Sequence, residues 1–224
     1  MKVVAVVPMK LNNRRLPGKN TKRFTNGDPL CTYVLKMLLS MKRIDETYVY
    51  CSNPSIKDYL PDGVKYLKRS ESLDTDSSSM LDVLDAFCKE VPADIYVQTH
   101  ATAPFISAES VEKGLEAVAS GEYDSSFSVK KMQDFIWKDG KPFNYTLENI
   151  PRTQDLPELM VETSGFYIFK QNVITEKRRR IGGRPLPIEV SEIESIDIDE
   201  KEDFEIADAW YNYSMMASEP RKQD

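Results

Sequence analysis

The chain has 224 residues, 41% of them hydrophobic and 29% charged, the balance of a folded globular protein rather than a disordered or fibrous one. Lys and Arg total 30 against 36 Asp and Glu, a formal net charge of −6 that argues against a broad nucleic-acid-binding face. The longest apolar run, residues 3–9, is far too short to span a bilayer and its basic flank is on the wrong side for a signal peptide, so no membrane partner is expected and the start reads as mature structure.

Residues 3–7 are an unbroken apolar run, β-branched at all but Ala5, the pattern of a buried strand. It gives way at Pro8 to a polar loop over 10–20 with a Pro17-Gly18 turn signal. Pro29 opens an amphipathic helix over 31–41. Residues 47–52 read as a second strand, Ser52 or Asn53 caps a short helix over 55–60, and 64–68 read as a third strand. Leu81, Leu84, Phe87 and Cys88 share one face of a helix over 78–91. Residues 94–98 form a fourth strand. Ser107 or Ala108 opens a helix with Glu109 and Glu112 in its first turn, Gly121 ends it, and 125–129 form a fifth strand. Strands alternating with crossover-length helices imply an α/β fold with a mainly parallel central sheet.

The rhythm breaks after Lys131. Lys138-Asp139-Gly140-Lys141 is a hairpin-type turn, and an irregular, proline-bearing stretch runs on to Glu162. Residues 131–162 read as an excursion from a single domain spanning 1–224. Phe135, Ile136, Trp137 and Phe143 make that excursion a partner surface or a lid. Residues 165–169, 188–190 and 196–198 read as late strands and 203–216 as a closing helix. Cys31, Cys51 and Cys88 lack a CxxC pair and fit buried thiols in a reducing cytoplasm rather than a structural metal site.

Charge is uneven along the chain. Lys2, Lys10, Arg14, Arg15, Lys19, Lys22 and Arg23 open it without an acid between them, whereas 189–208 is acidic apart from Lys201. A loop directly after the first strand sits where α/β sheets bind ligands, at the strands' carboxyl ends. There Lys10, Arg14, Arg15 and Lys19 can neutralise a triphosphate, with Asn12, Asn13 and N–H groups near Gly18 as donors. The sequence has no Walker loop, and a merely solvated basic loop is the alternative. In Ser195-Ile196-Asp197-Ile198-Asp199 the acids recur at spacing two. In a strand Asp197 and Asp199 would share one face while Ile196 and Ile198 meet the core. Paired carboxylates repel without a cation, and Mg2+ suits them; the alternative is a solvated acidic edge. Asp203 is read as a helix cap. His100, the one histidine, ends a strand and is read as a substrate contact ahead of a general base. Lys177-Arg178-Arg179-Arg180 is read as a solvated helix end, with attraction of an acidic substrate as the alternative, and Trp137 and Trp210 as packing residues.

Pro8, Lys10, Asn13, Arg15, Pro17, Lys19 and Asn20 fall in the register (I/V)PARxxSxRxPxKN, so the loop resembles the N-terminal signature of the sugar-acid (acylneuraminate) cytidylyltransferase family. Lys10 replaces its Arg, keeping charge but losing the bidentate fork, while Leu11-Asn12 and Asn13 replace its small residues and Ser. Arg69, Leu73, Asp76-Ser77-Ser78-Ser79 and Asp82-Val83 resemble its RPxxLAxDxxSxxDV segment. The stretch from Thr99 to Phe105 resembles LQPTSPL, with His100 for Gln. Arg152-Thr153-Gln154-Asp155-Leu156-Pro157 resembles RQDLP, the stretch from Glu162 to Ile168 resembles ENGAIYI, and the paired acids match (S/G)xDID.

The resemblance implies a three-layer nucleotide-diphospho-sugar transferase-like fold with a small dimerisation insertion, and a homodimer joined through it. It implies CTP-dependent formation of a CMP-activated keto sugar acid, with pyrophosphate released, for cell-surface polysaccharide. The acid is a sialic-acid-like nonulosonic acid or, alternatively, 3-deoxy-octulosonate. Other sugar nucleotidyltransferases and a non-catalytic nucleotide-binding protein are the remaining alternatives. Mg2+ would sit on Asp197 and Asp199, and Lys10, Arg15, Lys19 and Asp199 would act in catalysis. Pro8, Lys10, Asn12, Asn13, Lys19, Asn20, Arg69, Ser78 and Ser79 would surround the nucleotide. His100, Thr102, Arg152 and Gln154 would meet the sugar acid, the last two in their own or the neighbouring subunit's site. No residue stands out as a general base.

Overall fold

The apolar run near the start of the chain forms strand β1, Val3–Met9, in a computed structural model that describes residues 1–75 and 77–218. Side chains alternate across a strand, so Val3, Ala5 and Val7 pack to one face and Val4 and Val6 to the other, all buried. In chain order there follow α1 (Leu30–Ser40), β2 (Glu46–Cys51), β3 (Val64–Lys68), α2 (Met80–Glu90), β4 (Ile95–Thr99) and α3 (Ala108–Ala119). Then come β5 (Ser125–Met132), the short strands β6 (Trp137–Lys138) and β7 (Lys141–Pro142), β8 (Leu159–Lys170), α4 (Gln171–Thr175), β9 (Pro185–Glu189) and α5 (Lys201–Ser218).

A seven-stranded sheet runs in the order β3-β2-β1-β4-β8-β5-β9. All its strands point the same way except β8, which is antiparallel to both β4 and β5. α1 and α3 cover one face through Val34, Leu35, Leu38, Val111 and Leu115. α2 and α4 cover the other through Leu84, Phe87, Val173 and Ile174. This is the layered, mainly parallel α/β arrangement that the alternation of elements implied. Local signals account for the helix ends. Asn53 caps the 3-10 turn Pro54–Tyr59, Ser79 and Asp82 form a reciprocal capping box on α2, and Ser107 caps α3. Cys31, Cys51 and Cys88 are buried and unpaired. Burial pushes the thiols of Cys31 and Cys88 up to about 12, so they pack as inert apolar groups. No helix among the described residues is long and apolar enough to cross a membrane.

The excursion is shorter than residues 131–162. β5 continues to Met132 and β8 begins at Leu159, and their ends pair as a ribbon, Lys131 with Met160 and Met132 with Leu159. The ribbon is only half covered, so its side chains do not make the unbroken apolar run that marks a buried strand. Residues 196–198 join no ladder. Bonds from Ile196 N–H to Ile193 O at 3.2 Å, from Ile198 N–H to Thr102 O at 2.9 Å and from Lys19 to Ile198 O fix them, and Ile198 buries in a separate cluster with Leu16, Phe24, Leu30 and Phe204. Trp137 is not a packing residue: it is 56% exposed, and its Nε1 donates to the Tyr145 hydroxyl. Trp210 leans on Tyr213 along α5. Asp76, quoted above for its place in the serine-rich segment, lies outside the described residues.

Residues 177–180 divide: Lys177, Arg178 and Arg179 are exposed just past the end of α4, as a solvated helix end should be, whereas Arg180 is partly buried. Beyond α4 the chain turns back onto the fold, with Lys177 on Asp124 and Arg178 on Asp82 and Asp85. Asp124 also accepts the N–H groups of Gly183 and Arg184. Burial alone would raise the pKa of Asp124, but these donors and Lys177 outweigh it and hold it at about 2. Gly182 passes so close that a Cβ there would lie 2.0 Å from Asp124 Oδ1. Gly182→Ala is therefore expected to destabilise the fold by roughly 1–3 kcal/mol, read as a lower Tm. An unchanged Tm would mean that this loop can shift off Asp124 freely.

Candidate active site

β1 lies between β2 and β4, so the chain crosses over to one side after β1 and to the other before β4. At such a switch point the loops beyond the carboxyl ends part and leave a crevice for a ligand. Lys10 follows β1 there and His100 follows β4.

The basic loop and the acidic segment meet across this crevice. Lys19 Nζ is buried and donates to Ile198 O at 2.7 Å and to Asp199 Oδ1 at 3.0 Å. Arg15 lies 2.8 Å from the same Oδ1 and 3.6 Å from Glu200. Leu16 and Ile198 share one apolar cluster with α1 and α5, which clamps the two segments together. Burial works to raise the pKa of Asp199, but Lys19 and then Arg15 prevail and lower it. Asp203 reaches back to the N–H groups of Asp199 and Glu200 at 2.9 and 2.8 Å, so it caps α5.

Lys10, Asn13, Arg14, Arg15, Leu16 and Lys19 line a pocket of about 180 Å³. Buried Asn20 donates to Lys10 O at 3.0 Å and so shapes this loop. A neighbouring pocket of about 160 Å³ is lined by Pro8, Lys10, Arg69, Leu73, Ser78 and Val83, among others. Arg69 is only 4% exposed and pairs with Asp74, which also accepts from Ser52. The Arg69 Nε is buried with no partner among the described residues. Asp74 escaped the sequence reading; it stands where the RPxxLAxDxxS pattern has alanine. Of the two serines, Ser78 lines the pocket and Ser79 is engaged in the α2 cap. Asn12 is turned elsewhere: with Ser52, Asn53, Glu71 and Asp74 it lines a separate cleft of about 550 Å³.

Around His100 the strand ends form a polar network. Arg180 donates to the buried Gln98 Oε1 at 3.3 Å, which leaves the Gln98 amide nitrogen 2.6 Å from His100 Nε2 as the donor. Burial, and next the charge of Arg180, pull the His100 pKa down to about 4. A neutral imidazole this weakly basic suits a substrate contact better than a general base. Thr102 lends its carbonyl to the Ile198 N–H. The Tyr167 hydroxyl donates to Glu162. Arg152 and Gln154 are exposed, and Arg152 forks onto its neighbour Asp155 at 2.7 and 3.0 Å. No hydrogen bond or ion pair joins either to these crevice residues. Gln98, Glu162 and Tyr167 were absent from the expected site, and Arg180 entered it only as part of the basic run 177–180, with attraction of an acidic substrate as the alternative. Arg180 gave no local signal, because a run of four basic residues looks the same whether or not its last member turns inward.

The acidic pair fits a hard divalent cation. Asp197 Oδ1 is buried and has no hydrogen-bond partner among the described residues, and both acids offer only oxygen. No three His, Cys, Asp or Glu side chains gather into a metal-binding group among the described residues. Mg2+ there would therefore need phosphate and water oxygens to complete its shell, as it commonly does.

A family model described as Cytidylyltransferase matches residues 4–211. The N-acylneuraminate cytidylyltransferase A of Danio rerio is 28% identical over 216 residues, 92% of this chain and 50% of that protein. The CMP-N,N'-diacetyllegionaminic acid synthase of Legionella pneumophila is 31% identical over 124 residues, 52% of this chain and 53% of that protein. The chain thus spans about half the length of the Danio rerio protein, and the Legionella pneumophila match covers about half of each of the two chains. Among solved structures, CMP:2-keto-3-deoxy-manno-octonic acid synthetase complexed with CTP matches with a TM-score of 0.71 at 16% identity, covering 96% of this chain and 100% of that one. At that identity the likeness speaks for the fold alone.

Proposed function

The chain belongs to the cytidylyltransferase family, and we propose that it is a CTP-dependent enzyme that joins CMP to a keto sugar acid and releases pyrophosphate. The observation that carries this reading is the junction of Arg15 and Lys19 with Asp199 at the sheet's switch point, beside the unpartnered Asp197 oxygen. Cations and carboxylates on one crevice are what a metal-bound triphosphate requires.

The anomeric hydroxyl of the sugar attacks the α-phosphate, and pyrophosphate departs in line. Lys10, Arg15 and Lys19 neutralise charge on the phosphates. Asp197 and Asp199 would hold Mg2+, which would supply Lewis-acid charge to the reaction. The pocket of Pro8, Arg69 and Ser78 takes the base, with Asn20 near the ribose, and His100 and Thr102 face the sugar. The names of the relatives support a nonulosonic acid first, with 3-deoxy-octulosonate second. A pyrophosphate-release screen of both classes with CTP and Mg2+ tests this. Release with a nonulosonic acid is expected, whereas CTP binding without release across the whole panel would favour a non-catalytic nucleotide-binding protein.

The excursion is the homodimer contact in this reading. It exposes Phe135, Trp137, Phe143, Leu147 and Ile150, and an apolar patch of that kind marks a partner surface. Sedimentation at micromolar concentration should show a dimer, weakened in Trp137→Glu. A monomeric wild type would remove the dimer from the reading. The buried, unpaired thiols accord with a cytoplasmic location.

A further inference from the structure

The crevice holds a cation that the phosphate loop does not supply. The guanidinium of Arg180 lies 3.6 Å from the centre of the Tyr167 ring, and one of its nitrogens donates to Gln98 Oε1 at 3.3 Å. Gln98 and Tyr167 are direct partners across the β4–β8 register, so one pair of strand ends holds both contacts. Glu162 stands 3.9 Å from another guanidinium nitrogen, too far for a hydrogen bond.

Several other arginines of this chain hold carboxylates at hydrogen-bonding distance. Arg152 forks onto Asp155, Arg178 takes Asp82 and Asp85, and Arg43 takes Glu112 and Glu116. Arg180 is three-quarters covered, with a side chain 26% exposed, and its carboxylate partner among the described residues, Glu162, stands off at 3.9 Å as an ion pair without a hydrogen bond. A largely desolvated guanidinium left in that state is costly unless an anion completes it. Its backbone is also held in place beforehand. Lys177 before it, and the Gly183 and Arg184 N–H groups after it, all converge on Asp124. A side chain posted at a strand end by an anchored loop and stacked on a ring is preorganised for a planar two-oxygen ligand.

The substrate proposed above carries such a group in a fixed place. In a 2-keto sugar acid the carboxylate is bonded to the carbon that bears the attacking hydroxyl. It must therefore enter the crevice within a few bonds of the reacting phosphate. Gln98, which Arg180 contacts, also meets His100, and two residues on the Thr102 carbonyl holds the Ile198 N–H between the two acids, so one strand end ties Arg180 to the acidic segment. We propose that Arg180 is the carboxylate-binding and specificity-determining residue for the acid substrate, with Tyr167 as its platform and Gln98 as the hydrogen bond that aims it. The inference rests on the reading of the chain as a sugar-acid cytidylyltransferase.

The test compares wild type, Arg180→Gln and Arg180→Lys. The probes are N-acetylneuraminate, N,N'-diacetyllegionaminate and 3-deoxy-manno-octulosonate, each as the free acid and as its methyl ester. CTP affinity without acid serves as the fold control and should stay within about twofold, since Arg180 is not asked to bind phosphate. For the acid that reacts, kcat/KM should fall about 10- to 100-fold in Arg180→Gln, the range of a charge-assisted hydrogen-bonded contact, and chiefly through KM. Arg180→Lys, which keeps the charge but not the fork, should fall between. The ester should react weakly with wild type and lose little more in Arg180→Gln. An unchanged KM for the acid, or equal losses for acid and ester, would overturn the inference. If wild type releases no pyrophosphate with any acid, the functional reading fails separately, and direct titration of the same acids decides for Arg180. Binding that is lost in Arg180→Gln upholds it; equal binding, or none to wild type, overturns it.

Discussion

Asp199→Asn is expected to lower turnover about a hundredfold or more, on the scale of losing a preorganised charge at a reacting phosphate. Asparagine has nearly the same shape, so the extended segment should hold its course through the Ile198–Thr102 bond and the buried Ile198 side chain. What goes is the anionic oxygen. Asp199 Oδ1 now answers Lys19 at 3.0 Å and Arg15 at 2.8 Å, and in the proposed mechanism it also holds the metal. The Arg15 pair is half-exposed and is expected to contribute less than about 1 kcal/mol to stability. Activity and stability should therefore part company, with kcat collapsing while Tm moves little. A higher Mg2+ concentration for half-maximal rate should accompany the loss. A near wild-type rate at ordinary Mg2+ would show that Asp199 does not hold the ion.

Lys19→Ala should weaken CTP much more than cytidine. A charge-assisted contact to phosphate is worth roughly 1.5–3 kcal/mol, about 10- to 150-fold in affinity, and cytidine has no phosphate to lose. Lys19 is poised for that contact at the base of the pocket formed by Lys10, Asn13 and Arg15. It also has a second role that the sequence did not show. Its ammonium ties the basic loop to Ile198 O and Asp199, so the alanine variant leaves a buried carbonyl and a carboxylate short of a partner. A fall in Tm of the size expected for losing such bonds, about 1–3 kcal/mol, should appear alongside the loss of CTP affinity. Titrating CTP and cytidine against the same variant separates the two roles. Equal losses for both ligands would assign Lys19 to holding the acidic segment alone.

What could be read along the chain was whatever short-range chemistry decides. The unbroken apolar run 3–7 carries the pattern of a buried strand, and the capping roles of Asn53, Ser107 and Asp203 follow from side-chain oxygens placed beside free N–H groups. The basic loop after β1 and the paired acids were equally visible, because like charges close together in sequence declare themselves. That they belong to one site was an inference from chemistry, and their resemblance to a family segment strengthened it. Lys19 and Asp199 are 180 positions apart. Only the tertiary structure decided that they touch, by clamping Leu16 and Ile198 into one apolar cluster. It also decided that 196–198 need no ladder, since two backbone bonds, the Lys19 bond to Ile198 O and the buried Ile198 side chain hold them. The ribbon at the ends of β5 and β8 became legible only with its partner present, because a half-covered strand carries no continuous apolar run. Arg180 is the clearest case. Its turn inward depends on Asp124 gathering Lys177, Gly183 and Arg184 from beyond α4. Its place over Tyr167 depends on β8 lying beside β4. Neither condition exists in the local sequence, where four basic residues in a row carry the pattern of a solvated end.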